Sequence, residues 1–448
     1  MSTDLLTFIT GKRLLRTEIP FPKHELDLFI HNGTLIESPA ILYQQSIPSC
    51  VRCGNRDRSL FASHFCYTCQ KDCLYCRHCI KLGKVQECKP LIHLAISDKT
   101  PFLNHSSSLK WEGELSLAQE KASNSVIKAV EKKSSLLLWA VCGAGKTEML
   151  FKGIEAAINK GERVLIATPR VDVVKELSPR LRAVFPSIAI ASLYGGSKDQ
   201  HKNAQLVIAT THQVMRYYKS FDVVIVDEVD AFPFSYDKSL QYAIQQARKP
   251  QSSLIYLTAT PTTQIRKIPN LKIVYVPRRY HGFSLPVPNF TWCGNWRTRL
   301  KKKKLPPVLM KWFQERLKAK KPTLLFLPSV EVLKEVSHLL ASQSIKHEAV
   351  YAADKERHDK VKRFRNEEYS LLLTTTILER GITIANLDVA VLGAEDHVFT
   401  ESALVQIAGR VGRSAKMPTG DVTFLHYGKT DAMVRARAQI NWMNKREV

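Results

Sequence analysis

Long apolar runs are missing from this 448-residue chain. No stretch reaches the roughly 18 consecutive apolar residues of a membrane-spanning helix, which argues against an integral helical membrane protein. Met1 to Pro20 lacks the compact apolar segment of a secretory signal, so a cytoplasmic protein is expected. Acidic residues are scarce: 41 Asp and Glu stand against 66 Lys and Arg, a net charge of +25. A field of that sign attracts polyanions, and phosphate neutralisation dominates nucleic-acid affinity. Nucleic acid is therefore the expected ligand, against the plainer reading of scattered surface lysines. Repeats at the sequence level are absent. Cysteine is nearly absent outside one segment, since eight of the ten lie between Cys50 and Cys88.

What is present from Trp111 onward is a succession of short apolar runs. Leu136–Ala140, Val164–Thr168, Leu206–Ala209, Val223–Val226 and Leu254–Leu257 are each bounded by polar or Gly/Pro positions. Helix-length segments separate most of them. Continuous apolar strands alternating with helices predict a parallel sheet covered on both faces. The pattern resumes at Thr323–Leu327, Ser370–Thr374, Val389–Leu392 and Val422–Leu425, and Asp431–Lys445 reads as a helix. Pro286, Pro288 and Lys301–Lys304 mark a linker. The expected organisation is an N-terminal region over 1–108, holding a cysteine-rich module at about 48–90. One α/β domain follows over 109–285, then a linker over 286–306 and a second α/β domain over 307–448. A polar hinge is expected at Asn104–Ser108, and the leader is expected to lack a large apolar core.

Three segments carry phosphoryl-transfer chemistry, and a fourth, Thr258–Thr260, could assist them. Between an apolar strand and a helix read from Glu148 lie Ala140, Gly143, Ala144, Gly145, Lys146 and Thr147. A glycine loop there points backbone N–H groups at phosphates. Lys146 would neutralise the β and γ oxygens, and Thr147 would ligate Mg²⁺. Ala140 stands where the general pattern has glycine. Asp227, at the end of an apolar strand, would hold Mg²⁺ through water, and Glu228 could polarise the attacking water. Thr258-Ala-Thr260 could sense the γ-phosphate, or simply cap a strand end. Far downstream, Gln406 precedes Arg410 and Arg413. Three apart, these arginines would share one helix face and could stabilise charge on the transferred phosphoryl group. A basic helix face is the bland alternative.

The cysteines have zinc-ligand spacing. Cys50-x-x-Cys53 and Cys76-x-x-Cys79 make one candidate Zn²⁺ site of ribbon type. Cys66-x-x-Cys69 could replace the later pair, or Cys66, Cys69, Cys73 and Cys88 could hold a second ion; the spacing leaves both open. His64 and His78 are further candidates of a kind that is more often structural. A leader short of core would gain much of its order from metal.

These segments resemble the motifs of superfamily 2 helicases, which implies tandem RecA-like P-loop NTPase domains preceded by a small zinc-binding module. By that resemblance Gln119, in Leu115–Gln119, contacts adenine. Arg170, in Ala167–Arg170, and Thr211 and His212, in Thr210–Gln213, contact nucleic acid from the first domain. Thr374 and Thr375, opening Thr374–Gly381, do so from the second. Asp227-Glu-Val-Asp-Ala-Phe-Pro-Phe234, Gly143–Met149, Thr375–Gly381 and Gln406–Ser414 are similar to the late competence ComFA family, whose motor is related to the primosomal helicase PriA. The resemblance implies a DNA-dependent ATPase using ATP and Mg²⁺. It would drive single-stranded DNA into the cytoplasm during transformation, at the inner face of the membrane beside the channel ComEC, with ComFC and DprA as partners and self-association allowed. Two other readings compete: a PriA-like unwinding helicase in replication restart or repair, and a zinc adaptor that uses ATP as an assembly switch.

Overall fold

A computed structural model describes residues 2–95, 102, 104–105, 107–381 and 383–447. Ser106, in the expected hinge, lies outside them. The described chain divides into two compact units. The first comprises 1–114, 120–138 and 147–274; the second comprises 115–119, 139–146 and 275–448. The phosphate-loop residues 139–146 thus belong with the C-terminal unit.

The apolar runs become strands because their valines, isoleucines and leucines are buried on both faces. Val164–Thr168, Leu206–Thr210 and Phe221–Asp227 pair in parallel, with Leu165 opposite Val207 on one side and Val224 on the other. Arg248–Thr258 adds to the far edge of Phe221–Asp227. Ile190–Leu193, Ser135–Ala140 and Lys272–Val276 complete a seven-stranded sheet. Ile190–Leu193 and Lys272–Val276 were not among the expected strands. Both are sheet edges, and the second, Lys-Ile-Val-Tyr-Val, is only partly buried although four of its five residues are apolar. Helices Phe151–Ile158, Val171–Val184 and Lys238–Ala247 lie between these strands in sequence.

The second sheet has six parallel strands, built around Thr323–Phe326, Leu371–Thr374 and Asp388–Leu392. Helix Asp431–Asn444 closes the chain. The stretch expected as a linker, 286–306, is part of this unit. Its strand Asn289–Trp292 pairs in parallel with Val422–His426. Its helix Trp296–Lys301 sends Trp296 and Leu300 into the same core as Leu325, Leu373 and Leu392. Lysines and prolines set the composition that suggested a linker, while a few apolar residues between them do the packing.

The leader also differs from expectation. It has a core of its own, formed by Leu5, Phe8, Ile9, Leu14, Ile19, Leu26, Leu35 and Ile92. Strands Leu14–Leu15, Leu91–Leu94 and Leu35–Ser38 form an antiparallel sheet over it. The cysteine-rich module joins the core of the first α/β sheet: Cys50, Cys53, Phe61, Cys76, Cys79 and Val85 form one apolar cluster with Leu165, Val224, Leu240 and Ile244. The two parts also meet electrostatically. Glu18 accepts from Arg52 of the module and from Arg216 Nε of the α/β domain, the latter at 3.1 Å.

Candidate nucleotide site and cysteine clusters

The phosphate loop begins where strand Ser135–Ala140 ends. Gly143 and Gly145 take φ of +79° and +70°, a region that disfavours side chains, so glycine is required at both turns. Ala140 is fully buried at the strand end, a place that a small side chain fills without strain. The expected helix from Glu148 begins as a 3₁₀ turn, Glu148–Leu150, before the α-helix Phe151–Ile158. Thr147 precedes that turn, and its Oγ1 accepts from Arg180 Nη1 at 3.5 Å while Arg180 also pairs with Glu148.

Within the C-terminal unit, the Gln119 segment and the Gln406–Gly409 segment converge on the loop. Gln119, in helix Leu117–Glu131, donates from Nε2 to the Ala144 carbonyl at 2.9 Å, and its Oε1 accepts from the Ser116 amide. The resemblance implied adenine contact for Gln119; here its amide holds the loop backbone. Cys142 Sγ donates to Gln406 Oε1 at 3.0 Å. Gly409 packs directly beneath Cys142, so close that a Cβ on Gly409 would fall 2.3 Å from the Cys142 Cβ.

Arg410 and Arg413 do not share a helix face. Helix Glu401–Ala408 ends with Gly409 as its cap, and both arginines lie in the following turn, where Gly412 has φ of +69°. The glycines stop the helix before the i, i+3 relation can apply. Arg410 donates from Nε to the Glu379 carbonyl at 2.8 Å. Arg413 donates to the Gly409 carbonyl at 3.1 Å and to Thr383 Oγ1 at 3.2 Å. The turn is held from outside by Arg279, a residue no motif pointed to. Arg279 Nη1 donates to the Val411 carbonyl at 2.7 Å and Nη2 to the Pro418 carbonyl at 2.8 Å. Burial, then the nearby charge of Arg413, lowers its pKa to about 10. Lone arginines outside named motifs carry no sequence signal of such a role.

In the N-terminal unit, Asp227 ends strand Phe221–Asp227, and its Oδ1 accepts from the Glu228 amide at 2.8 Å. Glu228 has φ of +54°, a conformation uncommon for a non-glycine residue. Thr258 Oγ1 donates to Asp230 Oδ1 at 2.5 Å and Thr260 Oγ1 to Oδ2 at 2.6 Å. The hydroxylated pair is therefore tied to the acidic segment. Asp230, the last residue of the Asp-Glu-Val-Asp motif and one to which the motif alone gives no role, is the link.

Of the expected nucleic-acid contacts, Arg170 caps helix Val171–Val184 and lies 3.9 Å from Asp172. His212 keeps an exposed edge, while packing of the rest of the ring pushes its pKa down, with Asp237 opposing and His78 and Lys81 reinforcing. Thr375 is half-buried at the start of a 3₁₀ turn. Thr211 and Thr374 are fully buried, and Thr374 Oγ1 donates to the Thr375 carbonyl, so these two hydroxyls do not face solvent.

The eight leader cysteines fall into two quartets. Cys50, Cys53, Cys76 and Cys79 have all their sulfurs within 4.8 Å, with Cys50–Cys79 at 3.8 Å and Cys53–Cys76 at 3.7 Å. Four thiolates at about 2.3 Å from a tetrahedral Zn²⁺ stand about 3.8 Å apart, so this donor set fits that ion. All four are buried. Cys66, Cys69, Cys73 and Cys88 form the other quartet, so Cys66 and Cys69 do not replace the later pair. His78 stands beside the first quartet, with its Nε2 3.3 Å from Asp237. His64 bonds to Lys84 instead.

Residues 1–93 match the competence protein ComFA N-terminal domain. Residues 112–263 match the family described as type III restriction enzyme, res subunit, and 302–415 match the helicase conserved C-terminal domain. Among solved structures, RecG bound to a three-way DNA junction aligns with a TM-score of 0.51 at 16% identity, covering 75% of this chain and 48% of that one. The Mycobacterium smegmatis helicase Lhr bound to ssDNA and AMP-PNP aligns with a TM-score of 0.52 at 17% identity, covering 74% and 50%. These show the tandem helicase fold. With the helicase domains, the chain is an ATP-hydrolysing enzyme of the helicase and translocase type, for which ATP and Mg²⁺ are the nucleotide and metal. Competence protein ComFA of Bacillus subtilis strain 168 is 46% identical over 447 residues, covering 99% of this chain and 96% of that protein. Its counterpart in Streptococcus pneumoniae R6 is 38% identical, covering 83% and 86%. The chain belongs to the ComFA family of competence proteins.

Proposed function

We propose that the chain is an ATP-dependent single-stranded DNA translocase that draws transforming DNA into the cytoplasm during competence. The observation that carries this reading is the hydrogen-bonded seat of Gln406 on the phosphate loop at Cys142. In this reading Gln406, 264 positions downstream of Cys142, is the residue that registers the state of the nucleotide site, and its seat on the loop supports that role. In this reading Lys146 neutralises the β and γ phosphates, and Thr147 and Asp227 hold Mg²⁺. Glu228 orients the attacking water, and Arg410 and Arg413 stabilise the developing charge. Arg170, His212 and Thr375 grip the strand through its phosphates, which makes the grip tolerant of sequence. The net charge of +25 supports a polyanionic track.

Zn²⁺ belongs to the same reading, held by Cys50, Cys53, Cys76 and Cys79 and serving to fix the module against the first α/β domain. The partners implied by the family resemblance, ComEC, ComFC and DprA, belong to it as well. The test is ATP hydrolysis measured side by side with single-stranded DNA, duplex DNA and RNA. Single-stranded DNA should stimulate turnover most, and displacement of streptavidin from a biotinylated strand end should require ATP. Lys146→Ala should abolish both. Turnover indifferent to DNA would sink the motor reading, and unwinding of a forked duplex would shift it to a helicase.

A further inference from the structure

We propose that Cys66, Cys69, Cys73 and Cys88 form a second Zn²⁺ site, separate from the buried quartet and open to solvent. This inference does not depend on the DNA reading, because its observables are metal content and metal release.

One β-hairpin supplies three of the four sulfurs, and a later return of the chain supplies the fourth. Cys66 ends strand Phe61–Cys66, and Cys69 sits in the turn that follows. Cys73 lies within the antiparallel partner strand Lys71–Cys76. Cys88 arrives from beyond an isolated bridge between Tyr75 and Gln86. The four Sγ atoms lie within 4.8 Å of one another, and Cys66–Cys88 is 3.6 Å. That is close to the spacing of about 3.8 Å expected for a tetrahedral four-thiolate zinc. It is far beyond the roughly 2.05 Å of a disulfide.

Donors from outside the quartet meet two of its sulfurs. Gln86 is buried, and its Nε2 donates to both Cys66 Sγ at 3.5 Å and Cys88 Sγ at 3.1 Å. The backbone N–H groups of Thr68 and Cys69 also point at the Cys66 sulfur. The turn is closed by the Gln70 amide bonding to the Cys66 carbonyl at 2.8 Å, with Gln70 at φ of +54°. Donors aimed at sulfur orient and stabilise metal-bound thiolates, as outer-shell partners do at structural metal sites. Four neutral thiols would gain little from the same arrangement. The second quartet differs from the first in access. Cys69 and Cys88 are partly exposed, whereas every member of the first quartet is buried.

The experiment is elemental analysis and timed chelation on the purified full-length chain. Two zinc equivalents per chain are expected. A chromogenic chelator should remove them in two kinetic classes, one fast and one slow. Cys88→Ser should lose one equivalent, and the lost one should be the fast class. Should Cys88→Ser fail to fold, Co²⁺ reconstitution of the unmodified chain should give two equivalents of four-thiolate absorption. One zinc per chain, iron in place of the second zinc, a Cys66–Cys88 disulfide, or an unchanged count in folded Cys88→Ser would each overturn the proposal.

Discussion

The Cys142 thiol donates to Gln406 Oε1 across 3.0 Å, and Gly409 lies against the same cysteine. The phosphate loop and the arginine-bearing turn are thereby fitted to each other through one small side chain. The backbone at Gly409 is ordinary, with φ of −67°, so alanine is barred there by contact and not by conformation.

Gly409→Ala should therefore lower the turnover number of the ATPase by roughly 10- to 100-fold, the scale of loss that accompanies a misplacement of about 1 Å. Cys142→Gly removes the atoms that the new methyl would strike. The double variant should recover most of the lost turnover, and a double-mutant cycle on kcat measures the coupling. Additive losses would show that the contact does not operate in the active enzyme.

Arg279 spans the Val411 and Pro418 carbonyls with a planar fork that lysine cannot reproduce. Arg279→Lys should lower kcat by roughly 10-fold or more, because it misplaces Arg413, and should also raise KM for ATP, because the Arg279 stem lies beside Gly143 of the phosphate loop. Steady-state kinetics with saturating single-stranded DNA separates the two parameters.

Asp230 accepts two buried hydroxyls, from Thr258 and Thr260. In Asp230→Asn one of them faces an amide nitrogen that cannot accept. A buried donor left without an acceptor costs about 1–3 kcal/mol. The urea midpoint should fall accordingly, with an unchanged slope. Thr260→Val in the Asp230→Asn background should cost less than Thr260→Val alone.

Lys12 is buried beside Arg163 and Arg216, and burial, then those two charges, lowers its pKa to about 7. Its Nζ donates to the Gln200 carbonyl at 3.2 Å. Between about pH 7 and 10 the folded chain has released this proton while the unfolded chain keeps it. Raising the pH over that window therefore favours folding, by up to about 1.4 kcal/mol per unit. Lys12→Met should be more stable than the parent at pH 7, with the difference shrinking toward pH 10. Denaturant melts at pH 7, 8.5 and 10 check the slope.

Much of the architecture was written locally. Val164–Thr168, Phe221–Asp227, Leu371–Thr374 and Val422–His426 are strands because short, mostly apolar runs can be buried only between two layers. The glycines of the phosphate loop and the acid at a strand end are local as well, since backbone conformation and strand termination are decided within a few residues. Composition misled where few residues do the packing. The lysines and prolines of 286–306 obscured Trp296 and Leu300, and the leader hid its apolar residues among polar ones.

The sequence by itself determined the central strands of both sheets, the loop that can cradle phosphate and the cysteine pairs that can bind metal. Only the tertiary structure decided how eight cysteines sort into two quartets, because a strand hairpin and a distant return of the chain bring Cys88 to Cys66 and leave Cys79 with Cys50. It likewise tied Asp230 to two threonines and set Cys142 against Gln406. Each of these depends on where chain segments far apart in sequence meet, and spacing along one segment carries no record of that.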